Sequence, residues 1–284
     1  MTEIAQQDQE VAQPYETLVI ERIGKVRRLT LNRPERRNAL SPQLQDELVD
    51  AVRVAQLDKD IRAIIIRGAG PSFCAGYDIN PNKAGQGREY APPMTVEEDV
   101  ALCLTFGEKW GKLWNCRVPV IAQVHGYCVA GGTDLALHCD MVIAADDAKL
   151  GFPPVRSQGG PPTHMWVYHA GPQWSKRLLL TGDTISGAKA AEIGLVLESV
   201  PAEQLDDHVL ALATRMSHIG HDLLVHNKRI VNLGVELMGR GTMQAIAAIH
   251  DVLGHNAPEA AEFNGRLRQD GVRAAVKERD ALFP

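Results

Sequence analysis

Residues 118–151 read VPVIAQVHGYCVAGGTDLALHCDMVIAADDAKLG, and the succession of residue types in this stretch decides the fold. VIAQV is a β-branched run that enters a glycine-bearing turn, HGYCVAGG. TDLALHC has helical character, and DMVIAA is a second β-branched run. Strand, glycine turn, short helix and strand in that order predict parallel strands joined by crossovers rather than by hairpins. The same order occurs upstream, where IRAIIIRG, apolar enough to be buried on both faces, leads directly into the turn GPSFCAGYDI.

Working outward toward the N-terminus, TLVIER and VRRLTLN flank IGK and predict two antiparallel strands. RPERRNAL breaks that pattern. Ser41 followed by Pro42 then predicts an N-cap with proline at the first helical position, opening an amphipathic helix that ends near Asp60. Asn80 to Thr95 is polar, rich in glycine and proline and without period, which predicts a long surface loop or lid carrying Arg88 and Tyr90. Val96 to Arg117 predicts a helix with Leu102, Phe106, Trp110, Leu113 and Trp114 facing the core. Beyond Gly159 the pieces THMWVYHA, QWSKRLLL, SGAKAAEIG and the run from Ala202 to Met216 are helical in period. The last third contains several further amphipathic helices and no strand candidate. The expected organisation is a loose extension over residues 1–15, an α/β core over 16–200 and a helical region over 201–284 that serves assembly.

Composition narrows the function. A formal charge of -5 gives no general affinity for a phosphate backbone, so nucleic-acid binding is a poor reading. The five cysteines form no CxxC pair, and the histidines form no HExxH, so no metal is expected and the thiols read as reduced and buried. The first residues lack a basic start followed by an apolar core. No apolar run approaches the roughly 20 residues of a membrane helix, and the expected location is the cytoplasm. GxGxxG and GxSxG are both missing, which weakens a dinucleotide-binding or an α/β-hydrolase reading.

The candidate site lies at the two glycine turns, Ala75-Gly76-Tyr77 and Ala130-Gly131-Gly132. Turns at strand carboxyl ends are where open sheets bind ligands, and glycine lets the backbone present its N–H groups. Gly131 also opens a helix, whose first amides favour a developing oxyanion. Asp134, three residues on, stands in the first helical turn on the side of that N–H. It reads either as an acid–base group or as an aspartate that simply suits a helix start.

On the stretches RPERRNAL, SFCAGYDI, VHGYCVAGGTDLALHCDMVIAADDAKLG, LLLTGDTISGAKAAEIGLVLESVP and GVRAAVKERDALF, the sequence resembles the enoyl-CoA hydratase/isomerase, or crotonase, superfamily. The resemblance implies a spiral of ββα units with a C-terminal helical oligomerisation region, and a homotrimer or dimer of trimers. It implies an acyl-coenzyme A thioester as substrate and no tightly bound cofactor. It sets the oxyanion hole on the backbone N–H groups of Tyr77 and Gly131. It lays the acyl-CoA against Asn38, Ala39 and Leu40 and against Ala75, Asp78 and Ile79, with Gly76 and Gly132 in the same turns. Arg36 and Arg37 read either as contacts for CoA phosphates or as solvated surface arginines.

One departure bears on the reaction. Typical hydratases carry a catalytic glutamate where this chain has Asp134 and a second where it has Pro154, so a scheme with two carboxylates cannot run in its usual form. Dienoyl-CoA isomerases of the superfamily are similar at Asp134 but keep an acid where Pro154 stands. Arg156, Ser157, Gln158 and His164 are the nearest substitutes in sequence; His164 reads as an acid or base if it points inward, and otherwise as a capping or surface residue. The Tyr77 phenol is a candidate pocket wall, and His125 reads as structural. The leading expectation is an enoyl-CoA hydratase-like lyase. The alternatives are an isomerase, a C–C or thioester hydrolase using Asp134, and a non-catalytic acyl-CoA binder.

Overall fold

The computed structural model describes residues 15–79 and 94–283. Residues 1–14 of the expected extension over 1–15, and Arg88 and Tyr90 of the expected lid, lie outside the described residues. The chain opens with an antiparallel pair, β1 (Leu18–Ile23) and β2 (Val26–Leu31). Helix α1 (Pro42–Leu57) follows, and Ser41 Oγ accepts from the Leu44 N–H at 3.2 Å as the Ser-Pro pair requires. It stops at Leu57 rather than near Asp60, because Asp58 leaves helical geometry and its carboxylate accepts from the Asp60 N–H.

Strand β3 (Ala63–Gly68) runs parallel to β2, and β4 (Val120–Val124) runs parallel to β3. Between them lies helix α2 (Val96–Trp114), begun by a capping box in which Thr95 and Glu98 satisfy each other's backbone N–H groups. Phe106, Trp110, Leu113 and Trp114 face the core as their spacing predicts.

The turn after β4 contains a short strand, β5 (Tyr127–Val129), which leads into helix α3 (Gly131–Leu137) and then β6 (Met141–Ala145). Two further three-residue strands, β7 (Lys149–Gly151) and β8 (Thr184–Ser186), flank helix α4 (Trp166–Thr181), which kinks at Gly171-Pro172. Helix α5 (Gly187–Glu192) and strand β9 (Glu198–Val200) complete the core. Three-residue strands are too short to show a period of two, which is why sequence pattern passes over them.

The strands form two sheets, one in the order β1-β2-β3-β4-β6-β9 and one in the order β5-β7-β8. The chain alternates between the sheets as it spirals, and from β2 onward every pairing in the larger sheet is parallel. Helices α6 (Leu205–Met216), α7 (His221–Leu237), α8 (Arg240–His255) and α9 (Pro258–Asp280) follow. Helix α6 lies on the sheet, anchored where Asp206 accepts from Arg67, Arg28 and Gln123 at 2.9, 3.2 and 3.1 Å. Helix α8 packs against α2. All five cysteines are free and buried, and no described helix is long and apolar enough to cross a membrane.

Candidate active site

Two backbone segments are zipped together to build the front of the site. Leu40 N–H donates to Gly76 O at 2.8 Å and Asp78 N–H to Leu40 O at 3.2 Å, while Ala75 N–H donates to Arg37 O at 2.9 Å. This pairing occupies the Ala75 and Asp78 N–H groups, the Gly76 N–H turns to Cys74 Sγ at 3.4 Å, and the Tyr77 N–H has no protein acceptor among the described residues. The Gly131 N–H, at the first position of α3, is left the same way by helix geometry.

Glycine brings the two N–H groups together. Gly76 has φ of +103°, and a Cβ there would lie 2.7 Å from Ala130 Cβ and 3.3 Å from Gly131 N. A Cβ on Gly131 would lie 2.7 Å from the Tyr77 ring, and one on Gly132 would lie 2.6 Å from Cys74 O. The turns are therefore in van der Waals contact, and only residues without a side chain fit where they meet. Ala130 itself takes φ of +53° to enter the helix.

Asp134 is 2% exposed, in the first turn of α3. Burial raises its carboxyl from the ordinary 3.8 to about 7, against the opposing pull of the Thr163 and Tyr77 hydroxyls, and the nearby Asp251 charge adds to the rise. The Tyr77 phenol donates to Asp134 Oδ2 at 3.2 Å. Thr163 Oγ1 is buried near the carboxyl without a well-formed hydrogen bond. Trp110 Nε1 donates to the Tyr77 oxygen at 3.0 Å, and the Phe106 ring lies 4.3 Å from the Tyr77 ring, tilted by 33°. Burial and the Asp134 charge push the Tyr77 phenol well above its usual value, so it stays a donor at neutral pH. A carboxyl that is half-ionised near pH 7 can both take and give a proton.

A buried polar chain fixes this arrangement from behind. His138, fully buried, has Nδ1 2.7 Å from the Asp134 carbonyl and Nε2 2.7 Å from Gln244 Nε2. Gln244 Nε2 also donates to Thr163 O at 3.0 Å, and Arg240 Nη1 donates to Gln244 Oε1 at 2.9 Å. Burial depresses His138 to about 3, so the imidazole is neutral. Its Nδ1–H must then donate to the Asp134 carbonyl and its Nε2 accept from the Gln244 amide. Through Gln244, α8 holds both helix α3, by way of His138, and the Thr163 backbone.

The remaining candidates fall into two groups. Asn38 is buried and spends its side chain on the fold: Oδ1 accepts from Arg33 N–H at 2.9 Å, and Nδ2 donates to Ala69 O and Ser72 O. Asp78 pairs with Arg33 at 2.9 Å, and Ile79 packs against Phe263 and Leu267 of α9. Arg37 is exposed and lies over the Tyr127 ring at 5.1 Å; Arg36 is exposed. Ala39 is half-buried beside this segment. Arg156 is turned to the C-terminal end, bound to Asp183, Asp280 and Thr181 O. The groups acting on the Asp134 carboxyl are Tyr77, Thr163 and Asp251; Gln158 and His164 are not among them. Burial lowers His164, which keeps it neutral. His125 Nε2 lies 2.8 Å from Gly70 O, a structural contact.

Sequence reasoning passed over Thr163, His138, Gln244 and Asp251, and took Trp110 only as core. The signal for Trp110 was present in its spacing from Phe106; the others come from distant segments with no local pattern.

A two-sheet spiral whose glycine turns present two N–H groups beside a buried carboxyl, followed by a helical region, defines the crotonase fold. The enoyl-CoA hydratase/isomerase family profile matches residues 21–262. An enoyl-CoA hydratase from Mycobacterium smegmatis, solved as a crystal structure, is 36% identical with a TM-score of 0.87 over 94% of each chain. An enoyl-CoA hydratase/isomerase from Xanthobacter autotrophicus Py2 is 34% identical with a TM-score of 0.88, over 95% of this chain and 99% of that one. The 2,3-dehydroadipyl-CoA hydratase of Escherichia coli is 32% identical over 205 residues, 70% of this chain and 75% of its own. The chain belongs to the enoyl-CoA hydratase/isomerase family and is an enzyme of hydratase-like type.

Proposed function

We propose that the protein hydrates an enoyl-CoA thioester with Asp134 as its single acid–base group. The observation that carries this reading is the Asp134 carboxyl, poised near 7 in a buried turn beside two N–H groups that have no protein acceptor among the described residues. The Tyr77 and Gly131 N–H groups polarise the thioester oxygen. Ionised Asp134 takes a proton from water as the water oxygen bonds to Cβ, and the electron pair moves to an enolate held by the two N–H groups. The same proton then passes from Asp134 to Cα, so one carboxyl completes the addition of H and OH.

The CoA portion lies along the backbone of Arg37, Asn38, Ala39 and Leu40 and of Ala75, Gly76, Asp78 and Ile79, with Gly132 keeping the second turn close. No tightly bound cofactor is required. The exposed apolar side chains Leu223, Ile230, Val231, Leu233 and Leu237 on α7 support a homotrimer or a dimer of trimers. Five free, buried cysteines suit the reducing cytoplasm.

Pro154 favours a second reading. With one carboxyl in the site, proton abstraction at Cγ and return at Cα would shift a double bond without water. Incubating 2-enoyl- and 3-enoyl-CoA thioesters in water labelled with heavy oxygen separates the two. Label in the product, lost in Asp134→Asn, supports hydration; rearranged product without label supports isomerisation; no turnover with either series overturns both.

A further inference from the structure

The geometry points to a divalent-cation site formed by Asp99 and Cys103 of α2 and His255 of α8, with Asp251 as the carboxylate that orients the imidazole. This goes beyond the reaction proposed above and uses none of its acid–base groups. Asp99 and Cys103 stand one turn apart on α2, and Asp251 and His255 stand one turn apart on α8, so each pair shares a face of its helix. The two helices pack on each other, which brings the pairs together.

The donor atoms of Asp99, Cys103 and His255 all lie within 4.8 Å of one another. Cys103 Sγ is 3.8 Å from Asp99 Oδ1, and His255 Nδ1 is 2.7 Å from Asp99 Oδ2. Tetrahedral ligands at zinc bond lengths stand roughly 3.3–3.6 Å apart, so movements of under about 1 Å complete the set. The other imidazole nitrogen, Nε2, lies 3.4 Å from Asp251 Oδ2. A carboxylate accepting the distal N–H of a metal-bound histidine fixes its tautomer and raises its basicity.

The chemistry of the donors selects the ion. One thiol, one imidazole and one carboxylate are a borderline-soft set that suits Zn²⁺ or Co²⁺ and not Mg²⁺ or Ca²⁺, which take oxygen ligands. The site is built into the protein: Cys103 is 0% exposed, and the Asp251 side chain is 7% exposed. Binding replaces the Cys103 S–H bond by a sulfur–metal bond and releases that proton to solvent. Three protein ligands leave a fourth position open. An ion here ties α2, which carries Phe106 and Trp110 against Tyr77, to α8, which carries Gln244 behind Asp134.

Titration of the chelator-stripped full-length protein with Co²⁺ tests the assignment. The expected result is one equivalent bound, with a thiolate-to-cobalt charge-transfer band in the near ultraviolet that Zn²⁺ abolishes. The band is absent in Cys103→Ser and His255→Ala, whose circular dichroism matches wild type. Saturating Zn²⁺ should also raise Tm by about 5 °C in wild type and leave Cys103→Ser unchanged. Lack of a charge-transfer band in wild type, or a band that survives both substitutions, overturns the site and leaves the four side chains as a hydrogen-bonded ion network.

Discussion

The Tyr77 phenol donates to Asp134 Oδ2 across 3.2 Å while its own oxygen accepts from Trp110 Nε1 at 3.0 Å. The residue whose backbone N–H is proposed to hold the thioester oxygen thus also bonds the Asp134 carboxyl through its side chain. A hydrogen bond to the ionised form lowers a carboxyl's pKa, so this bond offsets part of the rise that burial causes.

The ionised carboxyl starts the proposed reaction, so kcat/KM should rise with pH through about 7 and level off above it. Tyr77→Phe removes the phenol that favours the carboxylate. Its pH profile should move upward by roughly half a unit to one unit, with the plateau reached at higher pH. A profile that stays in place would show that the phenol does not act on Asp134.

Asp134 has a folded pKa above its unfolded one, so the folded state holds an extra proton between about 4 and 7. Stability therefore falls as pH rises through that window and stays low above it. Asp134→Asn removes the ionisable group and should flatten this loss. At pH 8 the variant should be more stable than wild type by on the order of 2–4 kcal/mol while losing most activity. Denaturant unfolding at pH 5 and pH 8 checks the sign; a variant destabilised equally at both would contradict it.

Gln244 is the joint between α8 and the α3 turn that carries Asp134. Gln244→Leu leaves His138 Nε2 and Thr163 O without their donor, at about 1–3 kcal/mol each in the buried setting. Because Asp134 is then held less firmly, kcat should drop about tenfold with KM changed less than twofold, and the apparent pKa should move with it. Loss of stability with kcat and the pH profile intact would mark Gln244 as structural only.

Gly76→Ala sets a methyl 2.7 Å from Ala130 Cβ at a φ of +103°. The two turns must part for it to fit, which separates the Tyr77 and Gly131 N–H groups proposed to hold the thioester oxygen. A loss of kcat/KM on the order of 10²-fold is expected, the size seen when one oxyanion donor is removed. Wild-type rates in a folded variant would argue that the Tyr77 and Gly131 N–H groups do not work as a pair.

Much of the fold is legible in the chain itself, because its causes are local. Ser41-Pro42, the Thr95–Glu98 box and the β-branched runs at 63–68, 120–124 and 141–145 act through the chemistry of neighbouring residues, and each element forms where its pattern stands. The three-residue strands and the early end of α1 at Leu57 escaped that reading: the first are made by pairing partners far along the chain, the second by a single aspartate leaving the helix.

The same division runs through the site. Gly76, Gly131 and Asp134 follow from turn chemistry and helix position, so the sequence by itself determined which two glycine turns and which first-turn carboxyl are candidates for the site. The state of that carboxyl, its bonds to Tyr77 and through Tyr77 to Trp110, and the Gln244–His138 brace depend on segments between 33 and 106 residues apart along the chain. Desolvation and side-chain convergence are properties of packed volume, which only the tertiary structure creates.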